Sequence, residues 1–272
     1  MRIFNTYTGN AMLNNALMTI EALGNLKSVS EITTNLLLRL YTEKGLLSLN
    51  KRMKSYYMLF LNNPLINKPG IGEDIYDQLI LSILNCSDFE GQNTCELTGL
   101  QFEKTFESYY EDIIEDQKSK LAKIITDKKQ LQKEYVKLDK TDLTINRAWF
   151  PLIGGLGSDA QALPQAKFAV QIHPICVAIM QFLPMSALIY KGGILLIDSS
   201  NFEFIRSFIG SNVKEVEKRI QTTSSSNSIE NIKDLAKGNY LLRAIDILEE
   251  KEIEDEYSDL NLWSFSNSGT GA

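Results

Sequence analysis

Three cysteines, a single histidine and one glycine-rich turn are the parts of this sequence whose types and spacing could do chemistry. His173-Pro174-Ile175-Cys176 has the reach of half a zinc clamp, because zinc takes imidazole nitrogen and thiolate sulfur in a tetrahedron. Cys95-Glu96-Leu97-Thr98 would be the other half if position 98 were cysteine. Cys95, His173 and Cys176 are therefore the candidate metal ligands, one short of a closed structural site. Cys86 or water could complete the set, and zinc is the one cofactor these residues suggest. A buried, metal-free remnant and an ordinary packed histidine are the competing readings.

The turn is Gly154-Gly155-Leu156-Gly157-Ser158-Asp159, straight after an apolar run. Glycines there expose backbone N–H groups with no side chains in the way, so a phosphate or a base edge can come close. Gly155-x-Gly157-x-x-Ala160 also fits the dinucleotide fingerprint. That fingerprint needs a helix to start at the loop and an acid about 20 residues on. Pro164 falls too early for the helix, and the nearest downstream acid is Asp198. No Gly-Lys-Ser/Thr follows the glycines, as a Walker loop requires. A nucleotide-cofactor enzyme built on this turn, a nucleic-acid-reading loop and a tight turn without a ligand all stay open at this point. With one histidine and no Gly-x-Ser-x-Gly elbow, the usual hydrolase constellations have nothing to stand on.

Charge is segregated along the chain. The net charge is −6, which argues against coating nucleic acid by bulk electrostatics. Yet positions 118–140 carry eight lysines against three acids, while 249–259 is strongly acidic. Lys118, Lys120, Lys123, Lys128 and Lys129 are the candidates for a phosphate-tracking face, with a solvated helix face as the plain alternative. Three cysteines at irregular spacing argue against a disulfide framework and fit a reducing compartment. The longest apolar run, 175–190, is interrupted by Gln181 and Pro184 and falls short of the roughly 20 residues that span a bilayer. Met1-Arg2-Ile3-Phe4-Asn5-Thr6 lacks an apolar signal core, so the expected location is cytoplasmic, with no membrane partner.

The elements that must position these residues read as α+β: mixed sheet elements, flanking helices and one long charged helix. Met12, Leu13, Ala16, Leu17, Ile20 and Leu23 share one helical face ending at Gly24. Ser28 to Glu31 has the spacing of a capping box, with a second apolar stripe over 32–41. The aromatic run 55–61 reads as a strand, as do 149–153 and 193–197. Helical spacing returns at 73–84, 102–138, 202–220 and 232–253, with a polar loop at 221–228. The expected division is a helix-rich lobe, 1–145, and a lobe holding the glycine turn and strands, 146–272.

Several of these landmarks together resemble one family: Tyr7-Thr8-Gly9-Asn10, Cys95 to Gly99, Phe150 to Pro164, His173 to Pro184 and Phe265 to Gly269, in that order. They are similar to the CXXC-CXXC family of CRISPR-associated proteins, the large subunit of the subtype I-B Cascade surveillance complex. Where that family has two Cys-x-x-Cys pairs, this chain has Cys95-x-x-Thr98 and His173-x-x-Cys176, a degenerate zinc-finger-like insertion. The family also continues into a helical C-terminal region that this sequence lacks. The resemblance implies a non-catalytic subunit. It would sit at the 5′ end of the CRISPR RNA, recognise the protospacer-adjacent motif in target duplex DNA and work with other Cascade subunits and an effector nuclease-helicase in antiviral defence. On that reading Gly154, Gly155 and Gly157 allow a close approach to the groove, and Ser158, Asp159 and Gln161 offer donors and acceptors to base edges. The lysines at 118–140, with Lys51 and Lys54, would hold phosphates.

Overall fold

The computed structural model describes residues 2–60, 65–66, 70–86, 88–151, 170–190, 193–229, 242, 245–246, 249 and 259–265. Mixed helices with small antiparallel sheets make it an α+β fold. Internal contacts divide the chain into two compact units, Met1–Leu61 with Ile179–Ala272, and Asn62–Ala178. The division expected at 145/146 thus lies inside the second unit's span.

The first unit is built around α1 (Ala11–Gly24), capped by the Asn10 side chain on the Leu13 N–H and closed by Asn25 in the left-handed region. The expected apolar face is present, but burial runs without a break from Leu13 through Glu21. A helix buried on every side must satisfy its polar side chains internally. Asn15 donates to the Ile197 carbonyl at 2.9 Å, Thr19 shares a 2.6 Å bond with Ser186, and Asn14 binds Thr8. The unit also holds α2 (Thr34–Glu43), α3 (Leu46–Arg52), α4 (Lys54–Leu59), α9 (Phe202–Thr222) and the antiparallel sheet β3 (Leu188–Tyr190), β4 (Gly193–Ser199), β5 (Leu260–Phe265), and α1 packs on α9, β4 and α2. The strand expected at 193–197 is β4, the middle strand, buried along nearly its whole length.

Two segments of this unit depart from expectation. The run 55–61 is not a strand: its described part lies in and just after helix α4, with Leu59 and Phe60 buried in the core. Ser28 caps only the single 3-10 turn Val29–Glu31, with Glu31 accepting from the Lys27 N–H at 3.2 Å. The helix itself starts later, on Thr33, whose hydroxyl accepts from the Leu36 N–H.

In the second unit α5 (Ile71–Leu84) packs on α6 (Phe106–Ile124) around an aromatic knot. Trp149 stacks on Tyr76 at 5.4 Å and meets Phe106 and Tyr110 edge-on. Of the strand expected over 149–153, Trp149 to Pro151 form a turn and 152–153 lie outside the described residues; the N–H groups of Trp149 and Phe150 both donate to the Asn146 carbonyl. The long helix expected over 102–138 is two. Phe102 belongs to the hairpin β1 (Asn93–Thr94), β2 (Gln101–Phe102), and α6 ends at Ile125 before Asp127 caps α7 (Lys128–Asp139). The unit ends within α8 (Pro174–Met180). Of the helix expected over 232–253, residues 242, 245, 246 and 249 are helical and the rest lie outside the described residues.

Candidate nucleic-acid interface and cysteine centre

Gly154, Gly155, Gly157, Ser158, Asp159 and Gln161, the candidate reading loop, lie outside the described residues. The five candidate lysines are described, and they fall into two groups. Lys118 bridges Glu115 at 2.5 Å and Asp139 at 2.7 Å, and these carboxylates, Asp139 foremost, hold its ammonium above the usual lysine range. Lys120 bridges Asp116 at 2.6 Å and the Gln78 amide at 3.0 Å. Their charges are already neutralised inside the unit. Lys123, Lys128 and Lys129 are exposed at the tip where α6 turns into α7, and among the described residues no carboxylate pairs with them. That tip also presents Ile124, 75% exposed. The tip thus carries three cations with no carboxylate partner among the described residues, beside an exposed isoleucine and the capping Asp127.

Sequence separation does not keep Cys95, His173 and Cys176 apart. The β1–β2 hairpin folds Cys95 to Gly99 into a turn closed by the Gly99 N–H on the Cys95 carbonyl, with Gly99 at φ +72°. Reciprocal bonds between Glu96 and Gln171 dock that turn on the segment leading to α8. Cys95 and Cys176 are both buried and share a sulfur–sulfur hydrogen bond. Donors converge on the Cys95 sulfur from Cys176, the Thr98 hydroxyl and the backbone N–H groups of His173 and Leu97. Against the opposing effect of burial they hold its thiol down to about 5. Cys176 moves the other way, well up, because its hydrogen bond to Cys95 and its burial both oppose ionisation. The two thiols form a coupled pair, with ionisation eased at Cys95 and opposed at Cys176.

His173 is fully buried between Phe89 and Phe102. Its Nδ1 accepts from the Ile175 N–H at 3.0 Å, which leaves Nε2 to donate to the Asp88 carbonyl at 2.8 Å. Burial pushes its pKa down, so the ring is neutral with both nitrogens engaged. Cys86 is turned to other work, in hydrogen-bond contact with the Tyr109 hydroxyl. These residues do not fit zinc. Two sulfurs converge, but no imidazole lone pair and no third thiol join them, and among the described residues no group of three or more His, Cys, Asp or Glu side chains is placed to hold a metal ion. Thr98 stands where a ligand would, and its hydroxyl reaches both sulfurs.

A third constellation was not foreseen from the sequence. Glu21, on the buried helix α1 with its side chain 1% exposed, accepts from the Tyr7 hydroxyl at 2.8 Å and from Arg206 Nε at 2.9 Å, both on Oε2. Arg206 also donates to the Leu26 carbonyl at 2.5 Å. Burial outweighs these partners and raises the Glu21 pKa. A lone acid inside Met18-Thr19-Ile20-Glu21-Ala22-Leu23 was the available signal, since a buried carboxylate needs partners.

Against family models, curated proteins and solved structures, the chain finds no match. No helix among the described residues is long and apolar enough to cross a membrane.

Proposed function

We propose that this chain is a non-catalytic large subunit of a cytoplasmic CRISPR RNA-guided surveillance complex. It contacts the CRISPR RNA and reads the short motif flanking the target in duplex DNA, with other Cascade subunits and an effector nuclease-helicase as partners. The observation that carries the reading is the run of landmarks from Tyr7-Thr8-Gly9-Asn10 through Gly154-Gly155-Leu156-Gly157-Ser158-Asp159 to Phe265, in the order of the family it resembles. The three uncompensated lysines at the α6–α7 tip support it, because base pairing with the guide supplies sequence and leaves the protein a charged contact and a short-motif reader.

Isolation from the native host tests the reading, with co-purifying RNA and partner subunits as the expected result. Within the assembled complex, Gly157→Val should abolish discrimination between targets with correct and incorrect flanking sequence, since a side chain there blocks the loop's approach to a groove. Competition binding at fixed salt gives that ratio. A folded variant with an unchanged ratio would remove the loop from the reading, and a native preparation free of nucleic acid and partners would overturn it altogether.

A further inference from the structure

Tyr7 and Arg206, the two groups held by Glu21, line a hollow of about 520 Å³, within the first unit, that no part of the proposed function uses. We infer that this hollow binds a ribonucleotide, its base against Tyr7 and Phe202, its phosphate between Lys27 and Arg206 and its ribose hydroxyls toward Glu203. The inference goes beyond the surveillance-complex reading and stands independently of it.

The volume suits a nucleotide-sized ligand. Its aromatic wall is a pair, Tyr7 and Phe202, with ring centroids 4.7 Å apart and planes inclined by 41°. Phe202 remains 40% exposed, which leaves apolar ring surface facing water in the hollow, a surface on which a base stacks with gain. The cations differ in kind. Lys27 is exposed and its ammonium has no partner among the described residues, whereas Arg206 is fixed by Glu21 and the Leu26 carbonyl. Those two bonds use Nε and Nη2, so Nη1 keeps its donors for an anion. Glu21 balances the Arg206 charge, so the hollow presents one further cation, Lys27, and one acid, Glu203. Glu203 supplies an acid at the rim, and a carboxylate there serves ribose hydroxyls as the acidic residue of dinucleotide sites does.

The two sides of the hollow are tied to a single atom. One buried carboxylate oxygen holds both Tyr7 and Arg206, two of the residues that would touch the ligand. Burying a carboxylate is costly, and here its bonds preorganise a base-stacking ring and a phosphate donor before any ligand arrives. Burial and the Glu21 carboxylate both push the Tyr7 phenol up, so the hydroxyl stays a donor to Glu21 at all physiological pH values.

The test uses the full chain with two probes, adenosine 5′-monophosphate by calorimetry and a fluorescein-labelled ten-nucleotide adenosine RNA by anisotropy. Binding of at least one probe is expected. Phe202→Ala should weaken it about 5- to 150-fold, the range for losing one stacked base. Lys27→Ala should weaken it several-fold and reduce its salt dependence, and Glu203→Gln should erode the preference over the deoxy form of the same probe. Phe202 and Lys27 are surface positions, and circular dichroism checks that each variant is folded. Binding of the monophosphate identifies a free nucleotide as the occupant, and binding of the RNA alone identifies a nucleotide within a strand; either supports the site. If neither probe binds, or if the folded Phe202→Ala and Lys27→Ala variants bind as the wild type does, the inference is overturned. Because the probes are applied without partner subunits, that outcome leaves the surveillance-complex reading to its own test of co-purification and flanking-motif discrimination.

Discussion

Glu21 is a carboxylate with almost no water around it, held by a phenol and a guanidinium. Its raised pKa means that the folded chain binds this proton more tightly than the unfolded chain does. The resulting contribution to stability is full below the ordinary glutamate range and is lost as pH rises through the folded pKa. Glu21→Gln mimics the protonated form and removes that dependence. The stability of the wild type relative to Glu21→Gln should therefore decline from acid toward neutral pH, as read by urea denaturation across the carboxylate range; a difference that does not change with pH would contradict the role given to burial. Thr98 offers a second test. Thr98→Cys places a third thiol beside Cys95 and Cys176, and cobalt added to the variant should give thiolate-to-metal absorption with release of protons, whereas the wild type should not. The same absorption in the wild type would show that the native pair already binds metal, and no absorption in the variant would show that position 98 does not complete a site. The half-sites at Cys95 and Cys176 were visible in the sequence as spacing, and the structure brings them together. What spacing could not show is that the ring nitrogens of His173 are engaged elsewhere. That depends on Asp88, a neighbour only in the fold.

The hairpin that presents Cys95 depends on two glycines for different reasons. Gly91 has φ +150°, and a Cβ there would lie 2.4 Å from the Phe102 carbonyl carbon and 2.5 Å from the Glu103 nitrogen, backbone atoms that cannot swing aside. Gly99 has φ +72° with open space around it. Gly91→Ala should thus cost about 2–4 kcal/mol, overpacking added to strain, and Gly99→Ala only about 1–2 kcal/mol, the left-handed penalty alone. Thermal melts of both variants check the order, and equal losses would refute it. Among the helices and strands, legibility followed periodicity. The helices at 11–24, 71–84 and 202–222 and the strand at 193–199 carried clear patterns and formed where expected. The run 55–61 failed because short aromatic segments satisfy a strand template and a buried helix equally, and only tertiary packing decides. The break at 125–127 was hidden by the absence of glycine and proline; its signal was Asp127, whose side chain accepts from the N–H groups of Lys129 and Gln130.

Summed over all 272 residues, a net charge of −6 leaves nucleic-acid affinity to a few local cations. If the α6–α7 tip tracks phosphates, replacing Lys123, Lys128 and Lys129 together by alanine should reduce the magnitude of the slope of log affinity against log salt by about 2–3. Replacing Lys118 and Lys120 should leave that slope nearly unchanged, because each already faces a carboxylate. Equal effects from both sets would mean that the ion pairs open on binding.

The first unit joins segments far apart in sequence, with α1 enclosed by β4 and α9. A ribosome makes these parts far apart in time. At 5–20 residues per second, the ~180 residues between α1 and α9 take ~10–35 s to appear, and for that interval α1 has no enclosure. The second unit, contiguous over Asn62–Ala178, has no such wait. A chain stalled on the ribosome with residue 178 clear of the exit tunnel should resist protease over α5 and α6 and be cut within α1. Stalling after residue 222 has emerged should begin to protect α1. A holdase that recognises apolar helices would bind α1 while it awaits its enclosure and would be displaced by the protein's own later segments.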